Sequence, residues 1–322
     1  MNDAFWKKKI SLKNLSVPFF MSAPMDGIID SPMRQMIRKF SKDELLFTEM
    51  RHISCVANER SERSLKYNKI EEPLAFQISA NTNLFMDKAI EKICNKNFCM
   101  LNLNAACPTK NVTKSGSGSA LMGDLDQLKE ILVELKKELK DSMPLTIKIR
   151  AGFKKTNALD VSFLSQDCDV EMIIIHPRLQ TGGFSSKLDF DLVREIKGKV
   201  KIPVIFSGNV NSAKRAKMTY EETGVDGLMI GRPLWGAPWK IKEIVSELED
   251  KEFYISNQEA VKCALKHLDL NMKFYGDKGF HAFKKHVPQY IKNIPDAARI
   301  RKELVTSQSY EELKKKLVKL SA

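Results

Sequence analysis

Paired cysteines are missing from this sequence. Its six cysteines (Cys55, Cys94, Cys99, Cys107, Cys168 and Cys263) are scattered, with no CxxC spacing and no histidine pair beside them. That pattern argues against structural zinc and against a disulfide framework, so no metal site is expected. No run of about 18 apolar residues occurs, so no membrane-spanning helix is expected either. The opening stretch MNDAFWKKKISLKNL is basic without an apolar segment of signal length, and the expectation is a soluble, cytoplasmic protein. Internal repeats and low-complexity tracts are absent as well. Acidic residues are in short supply: 40 Asp+Glu face 53 Lys+Arg, a formal net charge of +13. Such an excess suits a polyanionic partner, or reflects a lysine-rich genome, and only its distribution can separate the two.

Short apolar runs recur, each followed by a turn and a longer segment of helical period. They are VPFFMSAP, ELLFTEM, PLAFQIS, FCMLNLNAACP, PLTIKIRAG, EMIIIHPR, IPVIFSGN and VDGLMIGR. Strands alternating with helices call for a parallel sheet, and eight such units are what a (β/α)8 TIM barrel needs; an open doubly wound sheet is the structural rival. From about Glu243 the pattern becomes wholly helical, with breaks expected at Gly276, Gly279, Pro295 and Ser309. The expected division is an α/β barrel over 1–242 and an all-helical domain over 243–322. Within the latter, Lys273, Lys278, Lys284, Lys285, Lys292, Arg299, Arg301 and Lys302 face only Asp277 and Asp296, with His281 and His286 added. The charge is therefore partly localised. Phe274, Tyr275, Phe280, Phe283 and Tyr290 lie among these residues, at a spacing that suits a helix core better than a base-stacking platform.

Barrel active sites form where strands end. The runs end in Pro24-Met25-Asp26, Glu49, Gln77, Asn104 with Cys107, Lys148 with Arg150, His176 with Arg178, Ser207-Gly208-Asn209, and Gly231-Arg232. So many polar ends suit a pocket for a large polar cofactor. Small residues after the seventh and eighth runs, backed by Arg232, stand where barrels commonly bind phosphate. Lys148 and Arg150 alternate and share a face. A lysine buried there needs an anion, such as a reduced flavin ring, unless it is paired with Glu49. Gln77 could bond a ring edge or satisfy a backbone group. The stretch Gly116 to Gly123 is not a dinucleotide fingerprint, since Leu121 stands where the third glycine belongs and no GK[ST] follows. It reads as a mobile loop with Lys110 and Lys114 available to phosphates.

These stretches, taken together, resemble the tRNA-dihydrouridine synthases, the bacterial B-type branch most closely. The matching segments are APMDGIIDSPMRQMIR, NAACPTKNVTKSGSGSALM, TIKIRAGF, IIHPRLQTGGFS, IPVIFSGNV, ETGVDGLMIGRPLWGAPW and the C-terminal HLDLNMKFYG and KHVPQYIKN, from about Val17 to Leu320. The resemblance implies an FMN-binding barrel followed by a helical tRNA-binding domain. It implies that NADPH reduces FMN, that hydride passes to C6 of a uracil, and that Cys107 protonates C5. It assigns Pro24, Met25, Asp26, Gln77, Lys148 and His176 to FMN, and Ser207, Gly208, Asn209, Gly231 and Arg232 to its phosphate. Asn104, Arg150 and Arg178 are left for the uridine. An ordinary thiol, with a pKa near 8.5, is protonated at neutral pH, which suits a proton donor. The partner implied is tRNA, with ribosomal RNA as the alternative; a small-molecule flavin reductase and a non-catalytic RNA-binding protein are rival readings. Three departures from the family pattern stand out: Ala105-Ala106 before the cysteine, FSGNV in place of GNGDI, and Pro177 where glycine is usual.

Overall fold

The computed structural model describes residues 4–183, 186–292 and 294–321. It contains two compact units, Met1–Pro24 with Asp43–Gly231, and Met25–Lys42 with Arg232–Ala322.

The first unit is a parallel barrel. Its strands are β1 (Phe20–Ser22), β2 (Leu46–Phe47, continued by Arg51–His52), β3 (Leu74–Ser79), β4 (Met100–Ala105), β5 (Leu145–Gly152), β6 (Met172–Leu179), β7 (Val204–Ser207) and β8 (Gly227–Ile230). Neighbours run β1-β8-β7-β6-β5-β4-β3-β2, all parallel. The ring closes through a parallel bridge between Met21 and Leu45, with the Ser22 N–H donating to the Leu45 carbonyl at 3.0 Å. Closure decides against the open sheet that sequence pattern left possible.

Strands β3, β4, β7 and β8 are buried along their whole length. That is the signature of a parallel sheet covered on both faces, and it explains why the runs read as continuous rather than alternating hydrophobics. The short helices α2 (Ile53–Asn58) and α4 (Lys110–Lys114) follow β2 and β4, and helices α3 (Met86–Cys94), α5 (Leu125–Leu139), α6 (Ala158–Asp167), α7 (Phe190–Lys199) and α8 (Ala213–Thr223) pack side by side in sequence order. Three of these starts carry side-chain caps: Asp124 accepts from the Gln127 N–H before α5, Asp189 from Leu192 before α7 and Ser212 from Arg215 before α8. The first apolar run is split, because Ser16–Pro18 pairs antiparallel with Lys9–Ser11 in a hairpin before β1 begins. Pro177 sits inside β6 at a bulge: Arg150 pairs with His176, but Gly152 pairs with Leu179, so β6 carries one extra residue there. A proline without an N–H is tolerated at such an irregularity.

The second unit contains α1 (Ser31–Arg38) with α9 (Lys240–Leu248), α10 (Asn257–Tyr275), α11 (Lys278–Lys284), α12 (Val287–Tyr290), α13 (Ala297–Val305) and α14 (Tyr310–Ser321). Met25–Lys42 groups here because α1 packs on α10, and Tyr275 donates to the Asp30 carboxylate that caps α1. Val261, Leu268, Phe280, Phe283, Val287, Tyr290, Leu304 and Leu317 form its core, so three of the five aromatics are packing residues. Gly279 does not break the chain but lies within α11. A Cβ there would stand 2.3 Å from the Asn271 carbonyl oxygen, so glycine is what lets α11 approach α10. His286 does not add to the basic surface. It is fully buried, and burial lowers its pKa to about 3, leaving a neutral ring 4.6 Å from that of His267.

Candidate active site

Four adjacent strands, β3 to β6, bring most of the predicted residues of the first unit together. Register pairs Gln77 with Asn102, Asn102 with Thr146, Asn104 with Lys148, and Arg150 with His176. Because side chains alternate along a strand, Asn102 and Asn104 share one face of β4, as do Thr146, Lys148 and Arg150 on β5.

Cys107 follows the end of β4 and is half-buried, its sulfur 3.3 Å from the Thr109 hydroxyl. Its backbone N–H donates to Asn104 Oδ1 at 2.8 Å, and the Ala106 N–H donates to the same oxygen at 2.9 Å. The departure at Ala105-Ala106 thus leaves a turn held through backbone groups, which any small residue can supply. Asn104 is buried and also donates from Nδ2 to Gln77 Oε1 at 2.8 Å, so much of its amide is engaged within the protein.

The glycine-serine stretch is not the mobile loop expected from composition. Gly118–Gly123 is a 3-10 turn with Gly118, Ser119, Leu121 and Met122 buried, and the Ser119 N–H donates to the Cys107 carbonyl at 3.0 Å. Gly118 has φ +61°, and a Cβ on it would lie 2.8 Å from the Cys107 carbonyl oxygen. The glycine is a backstop for the cysteine, needed both for its left-handed backbone and for the close approach.

Glu49 does not partner Lys148: its carboxylate is 3.1 Å from Arg51. Among the described residues no acidic group faces the Lys148 ammonium. Burial, and next the charge of Arg150, lower its pKa to about 8, with Cys107 acting in the opposite sense. Arg150 is buried, and its pKa is lowered by burial and then by Arg178. One terminal nitrogen of Arg150 lies 3.3 Å from His176 Nδ1, and one of Arg178 lies 3.3 Å from His176 Nε2. Guanidinium nitrogens only donate and a neutral imidazole has one accepting nitrogen, so His176 can accept from one arginine at a time. Arg150 Nε is buried without a hydrogen-bond partner. Strands β5 and β6 therefore carry three closely set cations, Lys148, Arg150 and Arg178, which suits an anionic or carbonyl-rich ligand.

Ser207 is buried at the end of β7, and Asn209 takes a left-handed backbone with φ +52°. A Cβ on Gly208 would meet Leu188 at 2.8 Å, so this glycine serves packing as well as any ligand. Gly231 follows β8, and Pro24 follows β1; Met25, Asp26 and Arg232 belong to the second unit. Sequence reading missed Asn102 and Thr146, and took Gly118 only as a tight point in a mobile loop. The polar alternation in LNLNA and TIKIR was a visible signal for the first two, since polar residues at every second position of a buried strand must meet one another.

A closed parallel barrel with a thiol, amides and cations gathered along four adjacent strands defines a barrel enzyme. The family model for dihydrouridine synthase matches residues 21–322, and the chain belongs to that family. It is 27% identical over 317 residues to a probable tRNA-dihydrouridine synthase 1 of Synechocystis, covering 97% of this chain and 89% of the relative. It is 30% identical over 279 residues to tRNA-dihydrouridine synthase B of Pasteurella multocida, covering 84% of this chain and 83% of that one. The activity is reduction of uridine in tRNA. Among solved structures, an old yellow enzyme homologue of Zymomonas mobilis has a TM-score of 0.57 at 10% identity, covering 77% of this chain and 94% of that one, a likeness of fold.

Proposed function

We propose that this chain reduces uridine in tRNA to 5,6-dihydrouridine with FMN as cofactor and NADPH as reductant, and that Cys107 is its proton donor. The observation that carries the assignment of Cys107 is its turn: Asn104 and Gly118 fix a half-buried thiol beside Lys148 and Arg150. The donor set fits an anionic, carbonyl-bearing ring system, because Lys148 has no acidic partner among the described residues and Arg150 Nε has no hydrogen-bond partner. Gln77, Lys148 and His176 would hold the ring, with Pro24 beside it. Ser207, Gly208, Asn209 and Gly231 would hold the phosphate, and Met25, Asp26 and Arg232 join the set on the sequence resemblance alone.

When bound and reduced, FMN supplies the hydride that C6 of the uracil receives. The protein's own part is the second half of the addition across C5=C6. The Cys107 S–H proton goes to C5, its bonding pair stays on sulfur, and the resulting thiolate is stabilised by the nearby cations until solvent returns a proton. Asn104, Arg150 and Arg178 would meet the uridine. A uridine in folded RNA must leave its stack to reach such a site, at a cost of a few kcal/mol that interactions elsewhere on the RNA must offset.

The helical unit is the proposed source of those interactions. Three of its basic residues are committed to the protein: Lys284 bonds the Ser307 carbonyl, Arg301 the Ile291 carbonyl, and Arg299 pairs with Glu303 and Asp296. Lys273, Lys278, Lys285, Lys292 and Lys302 are exposed and without an ion pair among the described residues. Replacing Lys278, Lys285 and Lys292 by Gln is expected to weaken tRNA binding for all tRNA sequences alike. For every one of these lysines that neutralises a phosphate, the slope of log affinity against log salt should fall by about one, as measured by filter binding across a salt series. The function itself is tested by supplying the flavin-loaded protein with NADPH and unmodified RNA. Dihydrouridine should form in tRNA; formation in ribosomal RNA alone would move the substrate, and formation in neither would end the reading.

A further inference from the structure

Inside the barrel four side chains form one directed relay of hydrogen bonds. Thr146 Oγ1 donates to the Leu101 carbonyl at 3.1 Å, and Asn102 Nδ2 donates to Thr146 Oγ1 at 2.9 Å. Gln77 Nε2 donates to Asn102 Oδ1 at 2.7 Å, and Asn104 Nδ2 donates to Gln77 Oε1 at 2.8 Å. Asn104 Oδ1 then accepts both the Ala106 and the Cys107 N–H. Thr146, Asn102 and Gln77 are fully buried and Asn104 is 6% exposed, so water does not compete along the chain.

The two ends fix its direction. A backbone N–H can only donate and a backbone carbonyl can only accept, so each amide between them has one satisfactory orientation. Turning any one amide over sets donor against donor or oxygen against oxygen at both of its neighbours. The relay uses one N–H of Asn104 and one of Gln77, and each amide keeps a second N–H outside it.

We propose that Thr146 and Asn102 are positioning residues. Through the relay they hold the Cys107 turn and set Gln77 and Asn104 so that both keep a spare N–H donor for the carbonyls of a bound ring. Thr146 only opens the TIKIRAGF stretch and Asn102 lies in none of the matching segments; their role comes from register: Gln77, Asn102 and Thr146 are consecutive partners across β3, β4 and β5. The activity arm of the test rests on the proposed function; the thiol arm does not.

Thr146→Val keeps the β-branched shape and removes donor and acceptor together, whereas Thr146→Ser keeps the hydroxyl. The readout is the rate at which iodoacetamide alkylates Cys107 in the full-length protein, followed on the Cys107 peptide by mass spectrometry. Thr146→Val is expected to speed alkylation by about 5- to 30-fold, the factor that removal of one or two such hydrogen bonds produces. Thr146→Ser should stay within about twofold of the wild type. In uridine reduction, kcat should fall for Val and recover for Ser, with the KM for tRNA unchanged in both. Wild-type alkylation in Thr146→Val overturns the proposal, as does a Ser variant as disturbed as Val. Should Thr146→Val not fold, Asn102→Leu breaks the relay one link nearer to Gln77 and must give the same acceleration; its absence overturns the proposal equally. Because alkylation needs no uridine, a protein that reduces no uridine would sink the functional reading while the thiol rates still decide the relay.

Discussion

Replacing Cys107 by Ala should abolish most uridine reduction while leaving flavin and tRNA bound as in the wild type. A positioned general acid contributes roughly 10²- to 10⁴-fold, and kcat should fall within that range. The reason for expecting so clean a separation is structural. Cys107 is held by its backbone, through its N–H to Asn104 and its carbonyl to the Ser119 N–H, so an alanine can take the same turn with its Cβ in place. What disappears is the sulfur and its proton. Single-turnover kinetics on pre-reduced enzyme, with flavin content read from the visible spectrum, would measure the effect. Full activity in the alanine variant removes the proton-donor role, and loss of flavin together with activity would make Cys107 a binding residue instead.

The second large effect is expected at Lys148, where stability and function pull apart. In the flavin-free protein this lysine is charged in a largely desolvated place with no acidic partner among the described residues. The native state releases its proton near pH 8, against 10.5 for a free lysine. The unfolded chain therefore holds more protons between those values, and stability rises with pH from about 8 to 10.5 as the charge is lost. At pH 7 the cost is fully present, at most about 3 kcal/mol. Lys148→Met is thus expected to raise the melting temperature of flavin-free protein at pH 7 and to flatten its dependence on pH above 8. The same substitution should weaken flavin binding by about 10- to 100-fold, the effect of removing one charge-assisted hydrogen bond. Calorimetry and flavin titration on one preparation test both halves. A variant that is less stable without flavin, or that binds it as tightly, would show that Lys148 has a structural partner after all.

What the amino-acid sequence revealed, and what it hid, follows from the range of the interactions involved. Gln77, Cys107, Lys148 and His176 could be picked out in sequence as polar residues in or beside apolar runs, but the first, third and fourth lie within β3, β5 and β6 rather than at their ends, and only Cys107 follows its strand. The barrel was expected from eight strand–helix units and from the resemblance, although the count of runs alone left an open sheet possible; the bridge between Met21 and Leu45 closes it. What was not legible is the grouping of Met25–Lys42 with the C-terminal helices, which follows from pairs more than two hundred residues apart, such as Tyr275 with Asp30. Gly118 looked like flexibility and proved to be a close approach, because a glycine that permits motion and one that permits close packing are the same letter. The basic stretch near residue 290 looked uniform, yet Lys284 and Arg301 tie helix ends together while Lys278 and Lys285 remain exposed. The relay through Thr146 and Asn102 needed strand register, which no spacing within a single run supplies.

The most direct measurement is a map of dihydrouridine in total RNA from cells that carry this gene and cells that lack it. Loss of dihydrouridine at defined tRNA positions, restored by the wild-type gene and not by Cys107→Ala, is the predicted result. An unchanged tRNA map, or restoration by Cys107→Ala, would contradict it.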